Sequence, residues 1–250
     1  MSLCSPNSNV ASGSVCSLRG SDDCLSPNFL ETLFYIARLH QADVACCSIQ
    51  NFSKSYETEG TSPENANSVC YMAEKAACIS LYQDSLPDYS AWNKLYKANL
   101  WKEKRFPPGM IFEDLAVIPE TLAEANKVAV TKSKLYFYRK HSDSVLATQF
   151  DVRKLVLLDI AENIFEKMKH TSKPLYKAAR SMLLSACFSI LMRTEESEDF
   201  AEYRKKALDH IRKYRLSTFF DLKIRMRNRM AILLSYLPRS LFFKFLKKGM

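Results

Sequence analysis

Two adjacent carboxylates stand in the run Ser21-Asp22-Asp23, shortly before a proline. Carboxylates in a loop between a strand and a helix can hold a hard divalent cation through oxygen ligands. Such a cation can neutralise the charge on a diphosphate leaving group. The alternative is a solvated acidic turn that caps the next helix, because Asp is favoured near a helix N-terminus.

A second acidic pair, Glu113 and Asp114, lies between apolar residues at the predicted start of a helix. A carboxylate in such a setting can act as a general base, because burial and neighbouring charges shift its pKa. The alternative is again a helix cap.

Aromatic and basic residues form two further candidate motifs. Trp92, Asn93 and Lys94 can stack on a sugar ring and hydrogen-bond its hydroxyls, or they form a core aromatic with solvated neighbours. Arg139 and His141 follow an alternating aromatic strand and can face a phosphate. Their alternative is the charged end of an edge strand.

Local patterns predict the elements that position these motifs. Before about residue 147 we expect three helices, one starting at Ser26-Pro27 and the others over 62–83 and 113–125. We also expect strands over 43–49, 128–130 and 134–139, and a loop over 106–109 that ends regular structure. After about residue 147 we expect three helices, over about 149–170, 173–193 and 197–214.

The bulk composition is that of a globular protein that leans towards helix. Apolar residues make up 47% and charged residues 25%, so a real core is expected. The 5 glycines argue against a glycine-rich phosphate loop and many tight hairpins. The eight cysteines lack zinc-like or CxxC spacing, which favours free thiols in a reducing cytosol.

The net charge of +9 is concentrated at the C-terminal end of the chain. Ile211–Met250 carries eleven Lys/Arg and one acid, so the rest of the chain sums to −1. Residues 217–250 mix Phe and Leu with Lys and Arg, which is typical of a helix lying in an anionic membrane interface. The alternative is a packed C-terminal helix with solvated charges. The Lys and Arg residues of this segment are not accompanied by any recognised nucleic-acid-binding module, so no nucleic-acid partner is expected.

Two observations bear on how the chain relates to membranes. The N-terminal residues lack the basic start and apolar core of a signal peptide. The longest apolar stretch, Met182–Met192, is shorter than the roughly 20 residues that a transmembrane helix needs. The expected location is therefore cytoplasmic, peripheral on the inner face of the cell membrane.

The order of the motifs resembles the latter part of bacterial family 2 glycosyltransferases, the GT-A enzymes that build surface polysaccharides. The resemblance covers Leu18 to Val145 and rests on S-D-D-x-x-x-P-x-x-L-E, A-D-V-x-x-C, W-N-K-L-Y, F-P-x-G-x-x-x-E-D-x-A and Y-x-Y-R-x-H-x-x-S. It implies an α/β fold, with a partial GT-A domain whose incomplete mixed sheet is flanked by helices, followed by an all-α C-terminal region.

The resemblance also implies a role for each motif. In the family, an Asp-x-Asp-Asp turn holds Mn²⁺ or Mg²⁺ against the sugar-nucleotide, which points to Asp22 and Asp23 here. Gly20 departs from this pattern, because it stands where the family has its first acid. Asp114, beside Glu113, matches the base that deprotonates the acceptor in an inverting displacement.

The remaining motifs match the substrate cleft of the family. Trp92, Asn93 and Lys94 match the segment that lines the donor-sugar and acceptor cleft. Arg139 and His141 match the closing strand and loop near the diphosphate. The resemblance thus implies transfer of a sugar from a nucleotide-sugar donor to a glycan or lipid-linked acceptor.

The nucleoside-gripping unit of the family has no counterpart before the acidic turn. We therefore expect either a fragment or a chain completed by another chain, and a catalytically inactive remnant that serves as an interaction module stays an alternative. The expected segments are a disordered or truncated leader (1–17), the partial GT-A domain (18–147), a helical region (148–216) and a basic amphipathic tail (217–250).

Overall fold

The computed structural model describes residues 15–18, 20, 22–53, 62–83, 85–140, 152–194 and 197–248. The chain forms two compact units. The first contains Met1–Pro107 and Glu113–Thr148, and the second contains Pro108–Phe112 and Gln149–Met250. Residues 108–112 thus group with the second unit, although their place in the sequence predicts the first.

A six-stranded mixed sheet forms the first unit. Its strands are β1 (Val15–Ser17), β2 (Cys24–Leu25), β3 (Val44–Phe52), β4 (Ser68–Met72), β5 (Lys94–Lys97) and β6 (Lys127–Arg139). The order is β1-β5-β3-β6-β2, and β4 also pairs with β6. β3 and β6 are parallel, and the other four described pairs are antiparallel. The sequence predicts that 15–17 belong to a disordered leader, but their pairing with β5 makes them a strand.

The strands β3 and β6 form the buried centre of the sheet. Val44, Ala45, Cys46 and Cys47 have no exposed surface. A strand covered on both faces needs such a continuous apolar run, and the run over 43–49 correctly predicts β3.

β6 is one strand of 13 residues, where the sequence predicts two short ones. Its register with β3 shifts between Val130 and Lys134. The Thr131 hydroxyl donates to the Asn67 carbonyl and accepts from the Ser133 amide within this shift. This polar irregularity interrupts the apolar pattern without ending the strand.

Three helices accompany the sheet: α1 (Phe29–His40), α2 (Ala73–Tyr82) and α3 (Glu113–Glu124). α1 buries Phe29, Leu33 and Ile36, whose spacing places them on one helical face. The helix predicted over 62–83 is wrong in its first half. A 3₁₀ turn (Pro63–Asn65) and β4 precede α2, because the backbone of β4 pairs with β6.

Five helices make up the second unit: α4 (Val156–Met168), α5 (Lys173–Arg193), α6 (Ala201–Phe219), α7 (Met226–Leu234) and α8 (Arg239–Lys248). Short 3₁₀ segments precede α4 (Val152–Leu155) and α6 (Glu198–Phe200). The structure confirms the bounds predicted for α5. The boundary expected at 216–217 falls inside α6, and the predicted tail helix is divided into α7 and α8.

α5 lies at the centre of the second unit. It packs against α4 and α6 and buries thirteen of its residues. Within the described ranges, it is the one helix long and apolar enough to cross a membrane, and 72% of that stretch is buried in the protein. Its apolar surface therefore serves the core of this unit.

Candidate active site

Asp114 lies in the first turn of α3, where its carboxylate is largely removed from water. Its Oδ2 accepts a hydrogen bond of 3.0 Å from the backbone N–H of Ala91. Burial raises the pKa of Asp114 to about 6, and the neighbouring Glu113 also raises it, while the Ala91 amide and Lys94 act in the opposite direction. A carboxyl with this pKa is ionised at neutral pH and is more basic than an ordinary aspartate.

The loop that reaches Asp114 is held by a buried ammonium group. Lys94 has no exposed surface, and its Nζ donates to Asp88 Oδ1 at 2.8 Å, the Ser90 carbonyl at 2.6 Å and Asn93 Oδ1 at 2.7 Å. Burial is the largest influence and lowers the pKa of Lys94, but the charge and hydrogen bond of Asp88, together with the charges of Cys46 and Asp114, keep the pKa above its ordinary value. The pair is therefore charged and fixes the loop 88–94 in place.

Asn93 is also buried and joins this loop to β3. Its Nδ2 donates to the Cys47 carbonyl at 3.0 Å, and the Cys47 amide donates back to the Asn93 carbonyl at 3.1 Å. The sequence predicts that Asn93 and Lys94 line a sugar cleft or are solvated. Their complete burial instead gives them a positioning role, since neither side chain reaches the surface.

Trp92 belongs to an aromatic cluster between this loop and β6. Its ring stacks on Tyr138 with 5.3 Å between centroids and lies 4.3 Å from Tyr136 in a tilted arrangement. Tyr136 in turn meets Phe29 of α1 edge-on at 6.2 Å. Trp92 is only half-buried, so part of its surface stays open to a ligand.

The acidic turn places its two carboxylates in different surroundings. Asp23 is buried, with Oδ2 accepting from the Tyr136 hydroxyl at 2.6 Å and Oδ1 from the Arg139 amide at 2.9 Å. Asp22 is exposed, and its carbonyl accepts from Arg139 Nε at 3.1 Å. The Arg139 guanidinium also lies 4.6 Å above the Phe52 ring.

Gly20 is required by the position of Asp23. A Cβ atom at residue 20 would lie 2.3 Å from Asp23 Oδ2, which is closer than any real contact. The Gly20 amide donates to the Tyr136 hydroxyl at 3.0 Å. The departure from the family pattern at this residue is therefore coupled to the inward placement of the neighbouring carboxylate.

The carboxylates of this turn suit a divalent cation only in a limited way. Both Asp23 oxygens already accept hydrogen bonds from the protein, whereas the exposed Asp22 carboxylate can reach a ligand. Among the described residues, no group of three or more His, Cys, Asp or Glu side chains could hold a metal ion. The donor set fits an ion of the Mg²⁺ type, which takes one or two protein carboxylates and completes its shell with substrate phosphates and water.

Contacts link the acidic turn to Asp114. Asp23 bonds to Tyr136, the Tyr136 ring packs on Trp92, and the adjacent Ala91 bonds to Asp114. A continuous series of contacts thus joins the acidic turn, the Trp92 loop and the start of α3. His141, the remaining predicted site residue, lies outside the described residues.

Asp88 is the site residue that sequence reasoning missed. It lies in the run Pro87-Asp88-Tyr89-Ser90, and its carboxylate accepts from the Ser90 amide and hydroxyl. This Asx-type turn was the available signal. Its pairing with Lys94 has no signature in the sequence.

The curled mixed sheet with flanking helices is a glycosyltransferase fold. TarS of S. aureus, in a structure of residues 1–349 in complex with UDP-GlcNAc, aligns with 96% of this chain and 68% of its own, with a TM-score of 0.57 and 12% identity. No protein-family model matches the chain.

Two glycosyltransferases from Streptococcus pneumoniae serotype 4 are similar to this chain in sequence. Glycosyltransferase GlyG is 28% identical over 152 residues, which are 58% of this chain and 50% of GlyG. Glycosyltransferase GlyA is 26% identical over 177 residues, which are 68% of this chain and 25% of GlyA. The chain therefore spans about half the length of GlyG and a quarter of GlyA. The resemblance to glycosyltransferases and the α/β GT-A-like fold are confirmed.

Proposed function

We propose that this chain carries the acceptor-activating part of a family 2 glycosyltransferase, which transfers a sugar from a nucleotide-sugar donor to a glycan or lipid-linked acceptor in surface-polysaccharide synthesis. The observation that carries the proposal is Asp114, a largely buried carboxyl with a pKa of about 6. The streptococcal relatives support the reaction class, and the UDP-GlcNAc complex of TarS supports a nucleotide-sugar donor.

Asp114 acts as the general base. It takes the proton of the acceptor hydroxyl while that oxygen attacks the anomeric carbon of the donor sugar. The bond from this carbon to the diphosphate oxygen breaks on the opposite face, and the nucleoside diphosphate leaves with the bonding electrons. The product therefore has inverted configuration at the anomeric carbon.

Asp22 would hold Mn²⁺ or Mg²⁺ on the donor side of this reaction. The ion would neutralise the charge that develops on the diphosphate. Asp23 supports the turn from inside, since its carboxylate is bound to Tyr136 and to the Arg139 amide. The half-buried Trp92 offers its ring to the sugar, while Asn93 and Lys94 hold the loop beneath it.

The test is turnover of UDP-GlcNAc by the full chain with Mn²⁺, measured as released UDP. Asp114→Asn should lower the rate by about 10²- to 10⁴-fold, the usual contribution of a general base. Glu124→Gln is the matched control, because this exposed carboxylate lies at the other end of the same helix and should leave the rate unchanged.

One observation favours a second candidate, the catalytically inactive remnant that serves as an interaction module. Gly20 removes a carboxylate that the family pattern has at the metal turn, and the inward position of Asp23 leaves Asp22 as the exposed acid there. Equal rates for the wild-type chain, Asp114→Asn and Glu124→Gln would exclude the base role and leave this candidate standing.

A further inference from the structure

The end of the second unit exposes large apolar side chains in close succession. Phe220 and Leu222 lie between α6 and α7 and are 71% and 87% exposed. Met226, Met230 and Leu233 on α7 are 68%, 50% and 47% exposed, and Leu237 just after α7 is 39% exposed. These six side chains are called the C-terminal surface below.

The spacing of the exposed residues on α7 places them on one side of that helix. Residues 226, 230 and 233 follow one another by four and three positions, so they share one helical face. Ala231 and Ile232 are buried on the other side of the same helix. α7 therefore packs one apolar face into the second unit and presents another to solvent.

α8 repeats this arrangement. Leu241 and Phe245, four residues apart, are 41% and 46% exposed, whereas Phe242 is buried. Lys244 is exposed between them. Apolar side chains and a base thus alternate along the solvent side of this helix.

The charge around the surface has one sign. The chain carries eleven Lys/Arg after residue 211 and a single acid, Asp221, which is only 6% exposed. Lys223 and Arg227 stand exposed beside Leu222 and Met226. Any partner that covers the apolar side chains must also accept this positive charge.

We propose that the C-terminal surface docks on an anionic phospholipid bilayer, with its apolar side chains at the acyl boundary and the neighbouring bases at the headgroups. Such a bilayer interface satisfies both properties of the surface. A second copy of the chain would bring like charges together, which is unfavourable. A nucleic acid would match the charge and leave the apolar side chains uncovered.

This docking does not depend on sugar transfer, since all the residues involved belong to the second unit. It would hold the protein at the membrane face where a lipid-linked acceptor is presented. A chain that binds vesicles but turns over no donor would support the docking and contradict the proposed activity. A chain that turns over the donor but binds no vesicles would support the activity and contradict the docking.

The experiment is co-sedimentation of the full chain with vesicles of phosphatidylcholine, alone or mixed with phosphatidylglycerol. We expect binding to the mixed vesicles at low salt and progressive release as salt is added, because surface charges are screened. Failure to pellet at low salt, or equal binding to both vesicles, would overturn the proposal.

Paired variants separate the apolar contribution from general stickiness. Leu222→Ser with Met230→Ser should weaken vesicle binding by about tenfold or more. The control is Leu30→Ser with Leu39→Ser, which removes two exposed leucines (55% and 59%) from α1 in the first unit and should leave binding unchanged. Equal losses in the two pairs would contradict the assignment of the surface.

A charge variant provides a second readout that leaves the apolar side chains intact. Lys223→Gln, Arg227→Gln and Lys244→Gln together should also cost about tenfold or more, since each base near an anionic surface contributes to binding. Retained binding in this triple variant would contradict the proposal. The competing occupant is a second copy of the chain, and sedimentation velocity would detect it as a dimer. If the chain binds no vesicles and the double variant Leu222→Ser with Met230→Ser dissociates such a dimer, the surface is a self-interface and the proposal is wrong.

Discussion

The acidic turn and the start of α3 each bury a carboxylate, but the two carboxylates receive different hydrogen bonds in place of water. Asp23 accepts hydrogen bonds from the Tyr136 hydroxyl and the Arg139 amide, one on each oxygen. Asp114 accepts the Ala91 amide and lies beside Glu113, and its pKa rises to about 6. Burial with full hydrogen bonding makes a carboxylate structural, whereas burial with less compensation makes it basic.

The difference assigns separate roles to acids that look alike in the sequence. Asp23 ties the turn to β6, which leaves Asp22 to face a ligand. Asp114 is held by a loop whose position depends on the pair of Lys94 and Asp88. Three main substitutions, each with its control, can break or sharpen this comparison, and they run from the largest expected loss of stability to an expected gain.

Lys94→Met should have the largest effect, because it leaves Asp88 without its buried counter-ion. We expect the free energy of unfolding to fall by about 2–4 kcal/mol, slightly below the value for a fully buried pair since Asp88 is partly exposed. Urea unfolding measures this. Adding Asp88→Asn should recover part of the loss, because the unpaired charge is removed.

The control for this substitution is Lys97→Met on the same strand. Lys97 is 50% exposed and forms an ion pair with Asp43, whose buried carboxylate also accepts hydrogen bonds from the Asn126 amide and side chain. Because the lysine is half in water and Asn126 still holds the carboxylate, the loss should be small, about 1 kcal/mol. If the two lysine variants were equally stable, the buried pair would not be what fixes the loop 88–94.

Asp23→Ala should lower the free energy of unfolding by about 1–3 kcal/mol, since the Tyr136 hydroxyl and the Arg139 amide each lose a hydrogen-bonding partner. Asp22→Ala should leave stability within about 0.5 kcal/mol, as expected for an exposed side chain. In the turnover assay Asp22→Ala should have the clearer effect: the chain stays folded, but its rate should no longer respond to Mn²⁺. A destabilised Asp22→Ala with an unaffected Asp23→Ala would invert the roles assigned here.

Elements governed by local pattern could be predicted from the sequence. The apolar run of β3 and the Ser172-Pro174 start of α5 are local signals, and both elements form as expected. β4 could not be predicted, because its strand conformation comes from pairing with residues 127–131 about sixty positions away. Pairing of this kind overrides local propensity.

The same distinction between local signals and long-range contacts applies to the candidate site. The helix start at Glu113 and Asp114 is a local signal, but by itself it fits a helix cap equally well, and the family resemblance is what selects Asp114 as the base. The burial of Asn93 could not be predicted, because its partner Cys47 lies 46 residues earlier in the chain. The inward turn of Asp23 depends on Tyr136, 113 residues later. Sequence motifs therefore identified the acids but not which of them faces a substrate.

Asp114→Asn should act in the opposite direction to Lys94→Met and Asp23→Ala, because it stabilises the folded chain, and the size of its effect should depend on pH. The folded pKa of about 6 lies above the ordinary value of 3.8, so between these values the folded state holds a proton that the unfolded state releases. The contribution of Asp114 to the free energy of unfolding therefore decreases as pH rises from about 4 to 6 and stays low above it. The asparagine variant should match the wild type near pH 4 and exceed it by about 2–3 kcal/mol near pH 8, since a shift of about two pKa units corresponds to about 3 kcal/mol.

Urea unfolding of the two chains at a series of pH values measures this difference, and Glu124→Gln should show no such trend. The same titration should appear in catalysis, where kcat/KM of the wild type rises with pH through about 6 as Asp114 loses its proton. A stability difference that is constant from about pH 4 to 8 would mean that Asp114 titrates as an ordinary aspartate. A basic carboxylate at this position lowers the stability of the folded chain at neutral pH, which is the expected cost of keeping a buried acid ionised and ready to take a proton.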